Sequence, residues 1–256
     1  MEAEKNVAGV AAMALLEASG YQGGVEIEIE KHILPGSGIG SSAASAAGAV
    51  WALNQLLGNP FSLPELVSFA VAGEALASGT PHADNVAPAL YGGITLIRGY
   101  DPLDIARVHC PLLLHAVVLH PQIELKTSDS RSILKRNITL QQGIRQWGNV
   151  GGLITGLFTE DYGLISRSLE DVVIEPVRSL LIPGFAETRE SALRAGALGF
   201  GISGSGPSVF ALCRGAQVAR ETEEALKQSY ESMGIPFKTF SSPVNQQGVR
   251  PWKNEP

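Results

Sequence analysis

The sequence predicts an α+β protein built from two lobes, each with helices layered on a sheet. Predicted strands alternate irregularly with predicted helices along the chain. The turn-rich residues 99–102, Gly-Tyr-Asp-Pro, indicate a change of unit near residues 100–110. A chain of 256 residues can form one large domain or two modest ones. We expect two domains, over residues 1–103 and 104–256.

Local sequence signals place the elements. A small-residue helix is expected over residues 7–19, closed by Gly20, and a second helix from Ser62, where Glu65 completes a capping box, to about residue 78. Apolar and acidic residues alternate strictly over residues 24–30, which predicts a strand. Further strands are expected at 93–97, 112–120, 208–213 and 237–240, and further helices at 41–57, 128–136, 140–158, 163–169, within 184–197 and at 218–233.

The composition excludes several classes of protein. A net charge of −6 argues against a general nucleic-acid surface, which needs a basic excess. No apolar run reaches the roughly 20 residues that span a bilayer, and the charged N-terminus lacks a signal-peptide core. Cys110 and Cys213 are too few for a disulfide framework and are expected to be buried thiols. We therefore expect a cytoplasmic protein without nucleic-acid or membrane partners.

A glycine-rich loop is the most informative segment. Three glycines at alternate positions lead into two serines and a helix of small residues. Glycine lets the backbone curl around a ligand, and a helix start offers N–H groups and a positive dipole end to an anion, usually phosphate. This pattern predicts a triphosphate site, with a plain tight turn as the alternative. The expected nucleotide-binding residues here are Pro35, Gly36, Ser37, Gly38, Ile39, Gly40, Ser41, Ser42, Ala43, Ala44 and Ser45.

Two common nucleotide loops fit less well. A Walker A loop needs a lysine after its last glycine, but Ser41 follows Gly40. Residues 38–43 satisfy the G-x-G-x-x-A form of the dinucleotide fingerprint. That fingerprint also needs a second strand ending in an acid about 20 residues later, whereas residues 59–62 lead into a helix. A dehydrogenase is therefore the weaker alternative.

Four motifs in order carry a family resemblance. Residues 35–44 resemble the P-x-G-x-G-L-G-S-S-A motif of the GHMP kinases, with Ile39 in place of leucine, and residues 201–208, Gly-Ile-Ser-Gly-Ser-Gly-Pro-Ser, resemble the third motif of that superfamily. The segment His-Ala-Asp-Asn-Val-Ala-Pro at 82–88 is similar to homoserine kinases in particular. So is Glu-Pro-Val-Arg at 175–178 with Ile-Pro-Gly-Phe at 182–185. The resemblance runs through nearly the whole chain.

This resemblance implies a fold and an activity. The implied fold is the two-lobed GHMP kinase fold, with an S5-like first lobe, a ferredoxin-like second lobe and the active site between them. The implied reaction is phosphorylation of the side-chain hydroxyl of L-homoserine by ATP with Mg²⁺, and the implied assembly is a homodimer. Two alternatives to this activity remain: phosphorylation of another small molecule by a GHMP kinase, or ATP binding without turnover.

Polar side chains near the loop are the candidate catalytic residues. Glu74 interrupts an apolar helix, where it is either a solvated face or a buried functional carboxylate. The resemblance implies that Glu74 and Ser42 hold Mg²⁺. It also implies that His82 and Asn85 line the amino-acid pocket, with Asn85 near the reacting hydroxyl. Asp84 is placed at the site without a general-base role. Turn chemistry, or a metal bound by His82 and Asp84, are the alternatives for this loop.

An α-carboxylate substrate calls for arginine, whose planar fork pairs both oxygens. Arg131 lies four residues after Thr127, so a helix there would put both on one face. Arg178 follows Glu-Pro-Val at the end of a helix–turn segment. Surface salt bridges are the alternative for both arginines, but both match substrate-binding positions of homoserine kinases. Thr127 is expected to bind the substrate with them. Asn6 can be a simple N-cap, while the resemblance implies an adenine contact.

One part of the family pattern is not found. Homoserine kinases usually begin with strands that carry a P-x-S-x-A-N-L-G-x-G-F-D type motif, and nothing in residues 1–20 resembles it. We therefore expect that the N-terminal strands of the first lobe are missing, either because the chain is truncated or because it is a divergent form.

Overall fold

The computed structural model describes residues 2–33, 36–123, 125, 133–135 and 137–251, apart from the side chains of residues 77 and 78. They form two compact units. The first contains the described residues of 1–35, 40–108 and 245–256, and the second those of 36–39 and 109–244. The second unit thus includes part of the glycine loop, and the chain returns to the first unit from residue 245.

Helices dominate the first unit. These are α1 (Val7–Ser19), α2 (Ser41–Leu56), α3 (Leu63–Ser78) and α4 (Val86–Tyr91). Helix α1 is capped at its start by Asn6, whose Oδ1 accepts a hydrogen bond from the Ala8 amide at 2.9 Å, and at its end by Gly20 with φ of 68°. The capping box of Ser62 and Glu65 starts α3. The sequence-based predictions for these helix ends are confirmed.

Small residues bring the first three helices close together. Ala11, Ala43, Ala46 and Ala70 are buried in their shared core. A Cβ atom on Gly73 of α3 would collide with the Val7 carbonyl oxygen of α1. The absence of a side chain at Gly73 therefore sets how closely α1 and α3 pack.

A hairpin and the returning chain complete the first unit. Strands β1 (Ile94–Tyr100) and β2 (Leu103–Val108) pair antiparallel. Strand β2 is not expected from the sequence because charged residues interrupt its apolar pattern. The Gly93 amide donates to the Asn245 carbonyl at 2.6 Å, and the Val249 amide donates to the Ala89 carbonyl at 2.8 Å.

The predicted strand over residues 24–30 is wrong. These residues form neither strand nor helix, and Val25, Ile27 and Ile29 are exposed. A strand exists through backbone hydrogen bonds to a neighbour. Within the described ranges, no strand pairs with this segment, so the alternating pattern alone does not produce a strand.

The second unit is built on an antiparallel sheet. Its described strands are β3 (Leu114–Pro121), β4 (Gly199–Ile202), β5 (Val209–Arg214) and β6 (Phe237–Pro243), in the order β4-β5-β3-β6. The described helices are α5 (Leu140–Thr159), α6 (Tyr162–Ser168), α7 (Glu175–Arg178), α8 (Phe185–Arg194) and α9 (Ala216–Met233). With α8 before β4 and α9 before β6, the order matches the expected ferredoxin-like lobe. Strand β4 is not expected from its glycine-rich sequence.

Helices α8 and α9 cover one face of this sheet. Phe185, Phe200, Leu226 and Tyr230 belong to the buried core there. The Tyr230 hydroxyl donates to the Pro183 carbonyl at 2.9 Å, and burial raises the pKa of Tyr230 to about 12.

Most of the predicted helix at 128–136 lies outside the described residues. Across the described residues, every helix is too short or too polar to cross a lipid bilayer.

The close packing of α1 and α3 gives a stability prediction. Gly73→Ala should lower the free energy of unfolding by about 1–3 kcal/mol, because the new methyl group overpacks the α1–α3 contact. Gly48→Ala in α2 is the matched control, since a Cβ there would enter open space. That control should raise the free energy of unfolding by up to about 1 kcal/mol through helix propensity. Urea denaturation measures both, and equal stability of the two variants would contradict the prediction.

Candidate active site

The glycine loop has the backbone conformation that its sequence predicts. Gly36, Gly38 and Gly40 have φ values of 75°, 78° and 76°, in the left-handed region that favours glycine. Helix α2 begins directly afterwards at Ser41, and Gly40 at its N-cap provides no side-chain cap. The amides of its first turn and the positive end of its dipole therefore give this helix start the chemistry that suits an anion.

The two serines at the helix start have different roles. Ser41 donates its hydroxyl proton to the Ile33 carbonyl at 2.8 Å, which anchors the chain before the loop. Ser42 instead donates to Glu74 Oε2 at 3.2 Å. Ser45, one turn later, donates to the Ser41 carbonyl at 3.0 Å. Between them in α2, Ala43 is buried in the core and Ala44 is exposed.

Glu74 is a buried carboxylate on α3 with 7% of its surface exposed. Burial raises its pKa, the Ser42 hydrogen bond lowers it, the charge of Asp84 raises it and the charges of His82 and Lys31 lower it. The solvated-face alternative is therefore wrong. A single carboxylate beside a hydroxyl suits Mg²⁺, which prefers oxygen ligands and keeps several waters and phosphate oxygens. Among the residues described, no cluster of three or more His, Cys, Asp or Glu forms a larger metal site.

The loop before α4 lies near this carboxylate. His82 Nε2 is 2.9 Å from Thr80 Oγ1, and His82 Nδ1 is 3.9 Å from Asp84 Oδ1. Asn85 lies beside the start of α2, because a Cβ atom on Gly40 would be 3.5 Å from Asn85 Oδ1. The first unit thus brings Ser42, Glu74 and the polar residues of the 82–85 loop together.

In the second unit, residues 203–208 hold residues 36–39 of the glycine loop. Ser203 Oγ donates to the Gly38 carbonyl at 2.8 Å, and Ser208 Oγ donates to the Ser37 carbonyl. A Cβ atom on Gly38 would lie 2.7 Å from the Gly206 carbonyl oxygen. The family resemblance implies that residues 201–207 support the phosphate loop, with a flexible hairpin turn as the alternative, and these contacts agree with the supporting role. The individual bonds made by Ser203 and Ser208 are not predicted from the sequence.

Arg178 ends the short helix α7. Asp171 fixes the start of that helix by accepting hydrogen bonds from the Val173, Ile174 and Glu175 amides at 2.8, 2.9 and 3.1 Å. Arg178 Nη1 donates to the Gly204 carbonyl at 3.1 Å. Arg178 also lines a cavity of about 370 Å³ in the second unit.

Buried Glu175 lines the same cavity. Burial raises its pKa to about 6, which the charge of Arg189 at 3.0 Å opposes and the charges of Asp171 and Glu170 reinforce. Polar side chains of α5, Gln146 and Asn149, lie on the cavity wall too. The cavity therefore presents an arginine, two neutral amides and the carboxyl groups of Glu170, Asp171 and Glu175 to a small polar molecule. The motif containing Glu175 marks this segment, but its burial is not visible in the sequence.

Three predicted site residues, Pro35, Thr127 and Arg131, lie outside the described residues. Asn6 is the N-cap of α1, as its simpler interpretation predicts.

Comparison with known proteins identifies the family. The family model for the GHMP kinases N terminal domain matches residues 6–93, and the model for the GHMP kinases C terminal matches residues 153–232. The homoserine kinase of Chlorobium phaeovibrioides is 50% identical over 230 residues, covering 89% of this chain and 72% of that protein. The homoserine kinase of Chlorobaculum tepidum is 44% identical over 98% of this chain and 80% of its own length.

A solved structure agrees with these sequence matches. The crystal structure of homoserine kinase from Cytophaga hutchinsonii superimposes with a TM-score of 0.93 at 49% identity, covering 96% of this chain and 78% of that one. The two-lobed fold expected from the motifs is thereby confirmed at the level of GHMP kinase N- and C-terminal domains. On these matches and the four motifs, the chain belongs to the homoserine kinases of the GHMP kinase superfamily.

Proposed function

We propose that this chain transfers the γ-phosphoryl group of ATP to the side-chain hydroxyl of L-homoserine. A bond forms between the hydroxyl oxygen and the γ-phosphorus, the bond from that phosphorus to the β–γ bridging oxygen breaks, and the hydroxyl proton is released. The products are O-phospho-L-homoserine and ADP. One observation carries the proposal: the glycine loop opens onto an uncapped helix start whose first turn pairs Ser42 with buried Glu74.

In this proposal the polyphosphate of ATP binds the backbone amides of residues 36–45. Phosphoryl transfer depends mainly on alignment and on charge stabilisation, which amides, a helix dipole and a metal ion supply. Ser42 and Glu74 would hold Mg²⁺, which neutralises charge on the transferred group when bound. Asn6 would contact adenine while it caps α1.

The proposed homoserine site uses residues from both motif regions. His82 and Asn85 would contact the amino acid, with Asn85 near the reacting hydroxyl and Asp84 nearby without a base role. Thr127, Arg131 and Arg178 would bind the substrate, the arginines pairing with its carboxylate. The 370 Å³ cavity supports binding of a small amino acid, because its lining carries both an arginine, which suits a carboxylate, and carboxyl groups, which suit an ammonium group.

Three further expectations belong to the proposal. Residues 1–103 and 104–256 would be the ATP-binding and C-terminal domains. The enzyme would be cytoplasmic, which its buried Cys110 and Cys213 thiols support. It would act as a homodimer.

A substrate panel tests the proposed function. ADP release is measured with ATP and Mg²⁺ in the presence of L-homoserine, mevalonate, galactose or shikimate. L-Homoserine should give the highest kcat/KM. Preference for another alcohol would show a different small-molecule kinase, and ATP binding without turnover of any alcohol would show a protein that only binds nucleotide.

Glu74→Gln tests the proposed metal site. This change should lower kcat about 100-fold, because the metal and the transferred charge lose a carboxylate. Stability should be unchanged or higher at neutral pH. The folded-state pKa of Glu74 is raised, so its ionisation above the unfolded-state pKa costs stability, and glutamine removes that cost.

The control is Glu65→Gln on the same helix, which keeps a capping-box side chain and should leave activity unchanged. ADP release across Mg²⁺ concentrations and urea denaturation provide the two measurements. Wild-type kcat for Glu74→Gln at saturating Mg²⁺ would rule out the metal role.

Arg178→Ala tests the carboxylate contact. The KM for L-homoserine should rise about 10- to 100-fold, since a charge-assisted hydrogen bond is lost, while the KM for ATP changes little. Arg194→Ala is the control, because Arg194 pairs with Glu190 on the exposed face of α8. Equal increases in both KM values would argue against recognition of the carboxylate by Arg178.

A further inference from the structure

A buried chain of hydrogen bonds extends from the end of β3 to the glycine loop. His120 Nδ1 lies 3.0 Å from Ser208 Oγ, and Ser208 Oγ donates to the Ser37 carbonyl. Ser208 is completely buried, Ser37 is 1% exposed and His120 is 7% exposed. Water therefore has little access to the His120 ring, the Ser208 hydroxyl and the Ser37 carbonyl, which take these partners from within the chain.

The direction of each hydrogen bond follows from proton counting. A serine hydroxyl has one proton, and Ser208 gives it to the Ser37 carbonyl. The bond between Ser208 and His120 must then be donated by His120 Nδ1. The hydrogen-bond network thus assigns a proton to Nδ1. Burial, together with Lys238 opposite His120 on β6, lowers the pKa of His120 and favours the neutral ring.

Fixing the carbonyls of the glycine loop also fixes its amides. In a planar trans peptide, the carbonyl of one residue and the N–H of the next point in opposite directions. Ser208 holds the Ser37 carbonyl and Ser203 holds the Gly38 carbonyl. The N–H groups of Gly38 and Ile39 consequently point away from residues 203–208, which leaves them available to a ligand.

We propose that His120 is a positioning residue for the polyphosphate of ATP. Acting through Ser208, it holds the Ser37 carbonyl and so aims the Gly38 amide at a phosphate oxygen. His120 touches no reacting atom. The inference rests on the proposed binding of ATP by the glycine loop, and it adds a residue outside every motif that carries the family resemblance.

Substitutions that keep or remove the Nδ1 donor provide the first test. His120→Leu should weaken ATP binding, measured by calorimetry without L-homoserine, about tenfold, while adenosine affinity stays unchanged. His120→Asn, whose amide can donate from a similar position, should restore most of the ratio of ATP to adenosine affinity. His115→Leu is the matched control, because His115 lies on the same strand and bonds only the nearby Leu113 carbonyl among the described residues.

A double-mutant cycle tests whether His120 acts through Ser208. Ser208→Ala should weaken ATP binding at least as much as His120→Leu, and adding His120→Leu to it should cause no further loss. Additive losses, or an equal loss of ATP and adenosine affinity, would indicate a general structural role and overturn the inference.

The wild-type protein gives an independent readout. Long-range ¹H–¹⁵N spectra of histidine-labelled protein should show the proton of His120 on Nδ1, whereas a neutral ring protonated on Nε2 would overturn the inference. Failure of the wild-type chain to bind ATP would overturn the proposed function as well. Equal ATP affinity of wild type and His120→Leu would overturn this inference alone.

Discussion

The seating of Gly38 against residues 203–206 is the constraint on which the glycine loop depends. Its missing side chain leaves room for the Gly206 and Ser203 carbonyls, which a Cβ atom would approach to 2.7 and 2.8 Å. Its positive φ is accessible to glycine without strain. Two serine hydroxyls then fix consecutive carbonyls of the loop. Segments far apart in the sequence therefore determine one backbone conformation, and the amide directions follow from it.

Local signals were sufficient to predict much of the fold. The ends of α1 could be predicted from Asn6 and Gly20, and the start of α3 from Ser62 and Glu65. Capping interactions act within one helical turn, so the local sequence reveals them. The segment at 24–30 shows the limit of such reasoning, since alternation describes the faces of a strand but not the neighbour that it needs. Strands β2 and β4 are recognisable only through their pairing, which the sequence does not display.

The candidate site also contains features that the sequence predicts and features that depend on tertiary packing. The conformation of the glycine loop and the contact of Ser42 with Glu74 agree with expectations based on motifs and on the resemblance. The His120–Ser208 bond could not be predicted, because its partners are far apart in sequence and a histidine ending an apolar strand is usually only a satisfied core residue. The raised pKa of Glu175 likewise arises from burial, which depends on tertiary packing.

Residues 109–244 of the second unit separate residue 108 of the first unit from the segment that begins at Asn245. That segment supplies backbone partners to Gly93 and Ala89. During synthesis on the ribosome, the whole of residues 109–244 must therefore emerge before those partners exist. The first unit can therefore complete its backbone hydrogen bonds at Gly93 and Ala89 only after the second unit has been synthesised.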